Sequence, residues 1–142
     1  MSRKSANYKF DDITIGLTKE FSVEITESMV DNFAELSGDY NELHMDENYA
    51  STTSFGKRIC HGMLLTSFFS RLIGMSIPGK NALYFSQSIN FQSPCFIGDQ
   101  ILVRGEVIEK SGFEHMITIK TTILNQDSKC LIDGIAKVIV QN

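Results

Sequence analysis

Between His61 and Met75 the chain carries Met63, Leu64, Leu65, Phe68, Phe69, Leu72, Ile73 and Met75, which at helical spacing cover most of a helix's circumference. A helix that is apolar nearly all round must be buried nearly all round, so the rest of the chain has to wrap it. The segment is too short for the roughly 20 apolar residues that cross a bilayer, and Thr66, Ser67, Ser70 and Arg71 interrupt it. It therefore reads as the centre of a folded core and not as a membrane span.

The wrapping comes from four strand-like runs, at about 81–92, 99–110, 113–124 and 129–140. Alternation is clear in Leu83, Phe85, Ile89 and Phe91 and again in Ile117, Ile119 and Ile123. Pro94 with Gly98-Asp99, Lys110-Ser111-Gly112 and Asn125-Gln126-Asp127 supply turn chemistry between the runs. Residues 8–25 also read as extended, with Phe21, Val23 and Ile25 alternating against Ser22 and Glu24. Long antiparallel strands twist strongly and can curl round a single helix. The expected class is α+β, an antiparallel sheet wrapped round one long central helix. No repeat, low-complexity tract or linker interrupts residues 1–142, so one domain is expected.

Two smaller helices precede the central one. Thr26 can cap a helix in which Met29, Val30, Phe33 and Leu36 recur at helical spacing and which Gly38 ends. Asp46 can cap a second, over about 47–53. Between them lies Gly38-Asp39-Tyr40-Asn41-Glu42-Leu43-His44, and His61-Gly62 opens the central helix.

With a net charge of −4 and only 13 scattered lysines and arginines, the chain lacks the basic stripe of a nucleic-acid binder. Cys60, Cys95 and Cys130 are odd in number and contain no CxxC pair, which reads as buried small hydrophobes in a reducing cytoplasm. The start, Met1 to Ser5, has a basic flavour but no apolar run follows it, so no targeting peptide is expected.

Asp39 and His44 place a carboxylate and an imidazole in one turn, a pair suited to moving protons near neutral pH and to gripping one water between them. Gly62 stands where the first N–H groups of a helix lack internal partners, so a substrate carbonyl could approach closely. Asp and Asn after a helix are also common turn formers, and a glycine at a helix start also serves close packing; spacing alone leaves both readings standing. His44, Asp46 and His61 are legal metal ligands, but their spacing matches neither HExxH nor a Cys/His knuckle, and no metal is expected. No GxSxG elbow and no glycine-rich nucleotide loop is present.

Taken together, Phe33 to His44, Tyr49 to Phe55, Ile59 to Leu65, Ser67 to Gly74, Leu83 to Phe91 and Pro94 to Asp99 resemble the MaoC-like dehydratases of the hotdog fold, and among them the (R)-specific enoyl-CoA hydratases. The resemblance implies a hotdog fold and a homodimer with two sheets joined edge to edge, the acyl chain entering near the subunit interface. It implies that Asp39 and His44 hold the attacking water and that the Gly62 N–H meets the thioester carbonyl. Asn41, His61 and Ser70 then occupy supporting or substrate-binding positions. Glu42 stands where GDxNPLH motifs usually carry proline, and Arg58 replaces a common proline before His61-Gly62; neither change removes a reacting group.

The activity so implied is reversible, (R)-specific hydration of a trans-2-enoyl-CoA to an (R)-3-hydroxyacyl-CoA. It needs no cofactor, and the implied partners are an acyl-CoA thioester and a second copy of the chain. A 3-hydroxyacyl carrier-protein dehydratase, thioester hydrolysis on the same fold, and a non-catalytic acyl-thioester binding module are the alternatives.

Overall fold

In the computed structural model, which describes residues 3–141, six antiparallel strands form one sheet. They are β1 (Thr18–Glu24), β2 (Ala82–Gln87), β3 (Asn90–Phe91), β4 (Gln100–Ser111), β5 (Met116–Leu124) and β6 (Cys130–Val140). The order across the sheet is β1-β4-β5-β6-β2, with β3 also pairing β6. The helices are α1 (Glu27–Ser37), α2 (Glu42–Met45), α3 (Glu47–Ser51) and α4 (Gly62–Arg71), the last running on into a π-helical turn over Leu72–Ser76. This is the α+β hotdog arrangement, a curved antiparallel sheet around a central helix.

The local signals account for most of these boundaries. Thr26 accepts a hydrogen bond from the Met29 N–H at 3.2 Å and so satisfies one of the open donors of α1. Gly38 follows α1 at φ +81°, a left-handed conformation open to glycine without penalty. Asp46 caps α3 in the same way as Thr26 caps α1, accepting from the Tyr49 N–H at 3.1 Å.

From α4 and its continuation Leu64, Leu65, Phe69, Leu72 and Ile73 are buried. They face inward-pointing residues of the long strands, such as Val103, Ile123 and Leu131 towards one end and Val107, Ile119 and Val138 towards the other. Phe69 is a fully buried aromatic, whose truncation to alanine costs about 3–5 kcal/mol in such cores. No helix among the described residues is long and apolar enough to cross a membrane.

The structure departs from the sequence expectations at four places. The extended reading of residues 8–25 holds only over β1, because Phe10–Asp12 form a 3₁₀ turn that buries Phe10. The run at 81–92 is broken: Ser88 leaves the ladder and exchanges hydrogen bonds with Ile135, its N–H donating to the Ile135 carbonyl and its hydroxyl accepting from the Ile135 N–H. Four residues after Asn41 form α2, a helix too short to show periodicity.

The fourth departure concerns burial. Within one chain α4 is not covered all round, since Met63, Ser67 and Ser70 lie on an exposed stripe. The apolar side chains of β2, Leu83 and Phe85, are likewise exposed at the sheet edge, as is Phe91 of β3.

Candidate active site

The short helix α2 owes its place to a chain of local caps. Asp39 Oδ1 accepts from the Asn41 N–H at 3.1 Å, and Asn41 Oδ1 accepts from the Leu43 N–H at 3.0 Å. These Asx contacts turn the backbone sharply after α1 and bring His44 back towards the start of α4. Asn41 thus supports the site through the backbone. Asp46 caps α3 and takes no part in the cluster.

The segment before α4 fixes the imidazole of His44. Its Nδ1 lies 2.9 Å from the Ile59 carbonyl, a contact in which the nitrogen must donate, so in the neutral ring the lone pair is on Nε2. Arg58, buried, adds a second tie: its Nε–H donates to the carbonyl of His44 itself at 2.5 Å. The rest of that guanidinium reaches α1, with Glu27 Oε1 at 3.2 Å and Asp31 Oδ1 at 2.9 Å. One cation therefore links the first helix, the imidazole-bearing turn and the strand-like segment leading to α4.

His61 is the N-cap residue of α4 and is only 2% exposed. Its ring stacks on His44 at 4.2 Å between centroids and packs against Phe33 at 4.8 Å. Nε2–H donates to the Asp39 carbonyl at 3.0 Å, while Nδ1 is buried without a hydrogen-bond partner among the described residues. Burial, above all, holds the imidazole below its usual pKa. The Asp39 carbonyl opposes that shift, and the neighbouring His44 reinforces it. A neutral, uncharged ring against His44 is the result.

Donor atoms of Asp39, His44 and His61 all lie within 4.8 Å of one another. That span is short enough for one water to hydrogen-bond an oxygen of the carboxylate and a ring nitrogen together. The same three side chains offer the N and O donors a divalent cation uses, but His44 Nδ1 and His61 Nε2 are already committed to carbonyls.

Gly62 is the first residue of α4, so its N–H has no intrahelical acceptor and stands at the positive end of the helix dipole. A Cβ at this position would overlap the Phe91 ring, so glycine lets that exposed ring lie directly over the helix start. Two cavities meet here. One, of about 300 Å³, is bounded by Asp39, His44, His61, Gly62, Met63 and Phe91. The other, of about 330 Å³, shares His44, Gly62 and Phe91 and extends among apolar side chains including Phe55, Leu65 and Ile132.

Of the residues singled out from sequence, Asp39, His44, His61 and Gly62 converge and Asn41 builds their turn. Ser70 does not join them: it is exposed, two turns along α4, and lines neither cavity. The Ile59 carbonyl, Arg58 and Phe91 were not foreseen as parts of the site. Only Arg58 had a legible counterpart, the carboxylates Glu27 and Asp31 one helical turn apart on α1.

A model of the MaoC-like domain matches residues 12–128. An (R)-specific enoyl-CoA hydratase of Aeromonas caviae is 37% identical over 89% of this chain and 94% of its own length. A 3-hydroxybutyryl-CoA dehydratase of Methylorubrum extorquens is 43% identical over 70% of this chain, which spans 64% of that protein. Among solved structures, an unliganded R-hydratase of Pseudomonas aeruginosa superposes with a TM-score of 0.93 at 33% identity, covering 97% of this chain and 88% of that one.

Proposed function

The chain belongs to the MaoC-like domain family, and from that premise we propose that it is a hydro-lyase which reversibly adds water across the 2,3 double bond of a trans-2-enoyl-CoA to give the (R)-3-hydroxyacyl-CoA. One observation carries the reading: carboxylate and imidazole donors lie within 4.8 Å of one another beside the free N–H that begins α4.

Asp39 and His44 grip the water between them. As its oxygen bonds to C3, the pair takes one of its protons and a proton is delivered to C2. Electron density meanwhile moves onto the thioester oxygen, where the Gly62 N–H and the dipole of α4 meet it. One such donor typically contributes about 2.7–4 kcal/mol to the transition state. The acyl chain occupies the apolar cavity past Leu65 and Ile132. His61, neutral, holds the Asp39 backbone and stacks on His44 without adding a charge.

The active form is a homodimer. Leu83, Phe85 and Phe91 leave an apolar face at the edge of the sheet, and a second sheet edge covers it.

The test is the loss of enoyl-thioester absorbance with crotonyl-CoA, followed by chiral analysis of the product. Asp39→Asn and His44→Gln are each expected to lower kcat at least about 100-fold with folding intact. Near wild-type turnover in either variant refutes the roles given to them. An inactive wild-type protein, or an (S) product, refutes the activity.

A further inference from the structure

Two of the three cysteines, 35 positions apart in sequence, meet in the wall of the larger cavity. Ile59 and Phe96 pair as an isolated antiparallel bridge, which sets Cys60 opposite Cys95, and the Cys60 N–H donates to the Cys95 carbonyl at 2.7 Å. Residues opposed in this way project side chains to the same face, with Cα atoms about 5.5 Å apart in a hydrogen-bonded pair. That spacing lies inside the range across which two cysteine sulfurs are bridged. Neither thiol has a part in the proton chemistry. Both are buried, and both line the cavity they share with Leu65, Phe91 and Ile132.

We propose that Cys60 and Cys95 form a dithiol site in the cavity wall that takes a trivalent thiophilic centre carried on an apolar group, the organoarsenicals being the type. The chemistry suits neutral thiols. An arsenoxide R–As=O reacts with two S–H groups to form two As–S bonds, the arsenic–oxygen bond breaks, and oxygen leaves with both protons as water. No oxidant is consumed. The neighbouring Cys60 thiol and burial raise the Cys95 pKa, so this thiol stays protonated and offers little thiolate to electrophiles that react singly. The apolar walls accept the organic group, and two sulfurs held in register supply the chelate. Cys130 lies apart on β6 and is not among the residues of this cavity.

The reading of this cavity as the acyl site rests on the proposed function; the dithiol does not, and the experiment separates them. The full chain is treated with one equivalent of phenylarsine oxide and challenged with excess 2-mercaptoethanol. Intact mass and thiol titration after denaturation report the adduct, and crotonyl-CoA hydration is followed in parallel. The expected result is one adduct per chain, with two thiols lost. It should be released by 2,3-dimercaptopropanol but not by the monothiol, and formed equally in Cys130→Ala. In Cys60→Ser, Cys60→Ala, Cys95→Ser and Cys95→Val the adduct should be at least about 100-fold weaker against the monothiol, the loss of one arm of a chelate. A tight adduct that survives removal of Cys60 or Cys95, or one that needs Cys130, overturns the site. An adduct formed as expected while activity continues unchanged leaves the dithiol standing and counts against the cavity as the acyl site. A wild-type protein without hydratase activity refutes the proposed reaction alone.

Discussion

Replacing Arg58 by methionine tests whether the turn bearing His44 is held by a buried cation. The Arg58 side chain is 9% exposed, whereas those of its partners Glu27 and Asp31 are 69% and 49% exposed. Freed of the arginine, both carboxylates remain in water, so the two ion pairs together contribute only about 0–1 kcal/mol after screening. The bond to the His44 carbonyl is different. It is charge-assisted and partly buried, and losing it costs about 1.5–3 kcal/mol. Methionine keeps the apolar stem, so packing changes little. The sum is about 1.5–4 kcal/mol, which for a chain of this size lowers Tm by roughly 5–13 °C.

Release of the His44 carbonyl also lets the imidazole drift, and kcat should fall by about 10-fold or more with KM nearly unchanged. The control is the double variant Glu27→Gln/Asp31→Asn, expected to cost less than about 1 kcal/mol and to keep kcat within about two-fold. Thermal unfolding and steady-state hydration read both. An Arg58→Met protein with unchanged Tm and kcat, or a double variant as damaged as it, refutes the reasoning.

Gly62→Ala should force Phe91 aside, because the new methyl would overlap its ring; Phe91 is exposed and can swing, so Tm should move by less than about 3 °C while kcat falls at least about 10-fold. Equal activity in that variant removes the carbonyl-binding role. The folded-state pKa of His61 lies below its unfolded value, so the unfolded chain binds the extra proton first and the contribution of this residue to stability is lost as pH falls below about 6.5. Urea unfolding at pH 7.5 and 5.5 should therefore show a smaller pH difference for His61→Phe than for the parent, and an unchanged difference contradicts the assignment. Phe85→Glu should shift sedimentation from dimer to monomer; a parent that already sediments as a monomer, or a dimer indifferent to that charge, rules out the sheet edge as the interface.

Much of this architecture was legible because its signals are local. Thr26, Gly38 and Asp46 announce helix ends by side-chain chemistry within three residues, and β4, β5 and β6 show their strand period in one run each. Asp39 and His44 were legible for the same reason, since a single turn carries both. What was not legible depends on partners distant in sequence. Nothing near Ser88 foretells that Ile135 draws it out of the strand, and nothing near Cys60 foretells Cys95. The outward direction of Ser70 follows from the rotational phase of α4 against the sheet. A sequence that is apolar on most faces leaves that phase ambiguous.

The tie between His44 and the Ile59 backbone limits how this ring can handle a hydrogen ion. With one nitrogen occupied by an acceptor that has no proton to trade, the imidazole is a dead end and not a conduit. In the proposed reaction, a proton that it takes from water departs through the same atom, towards the bound molecule or the solvent beside it. In that reading hydration and dehydration pass through a single port on this ring, and no step on it distinguishes one direction from the other.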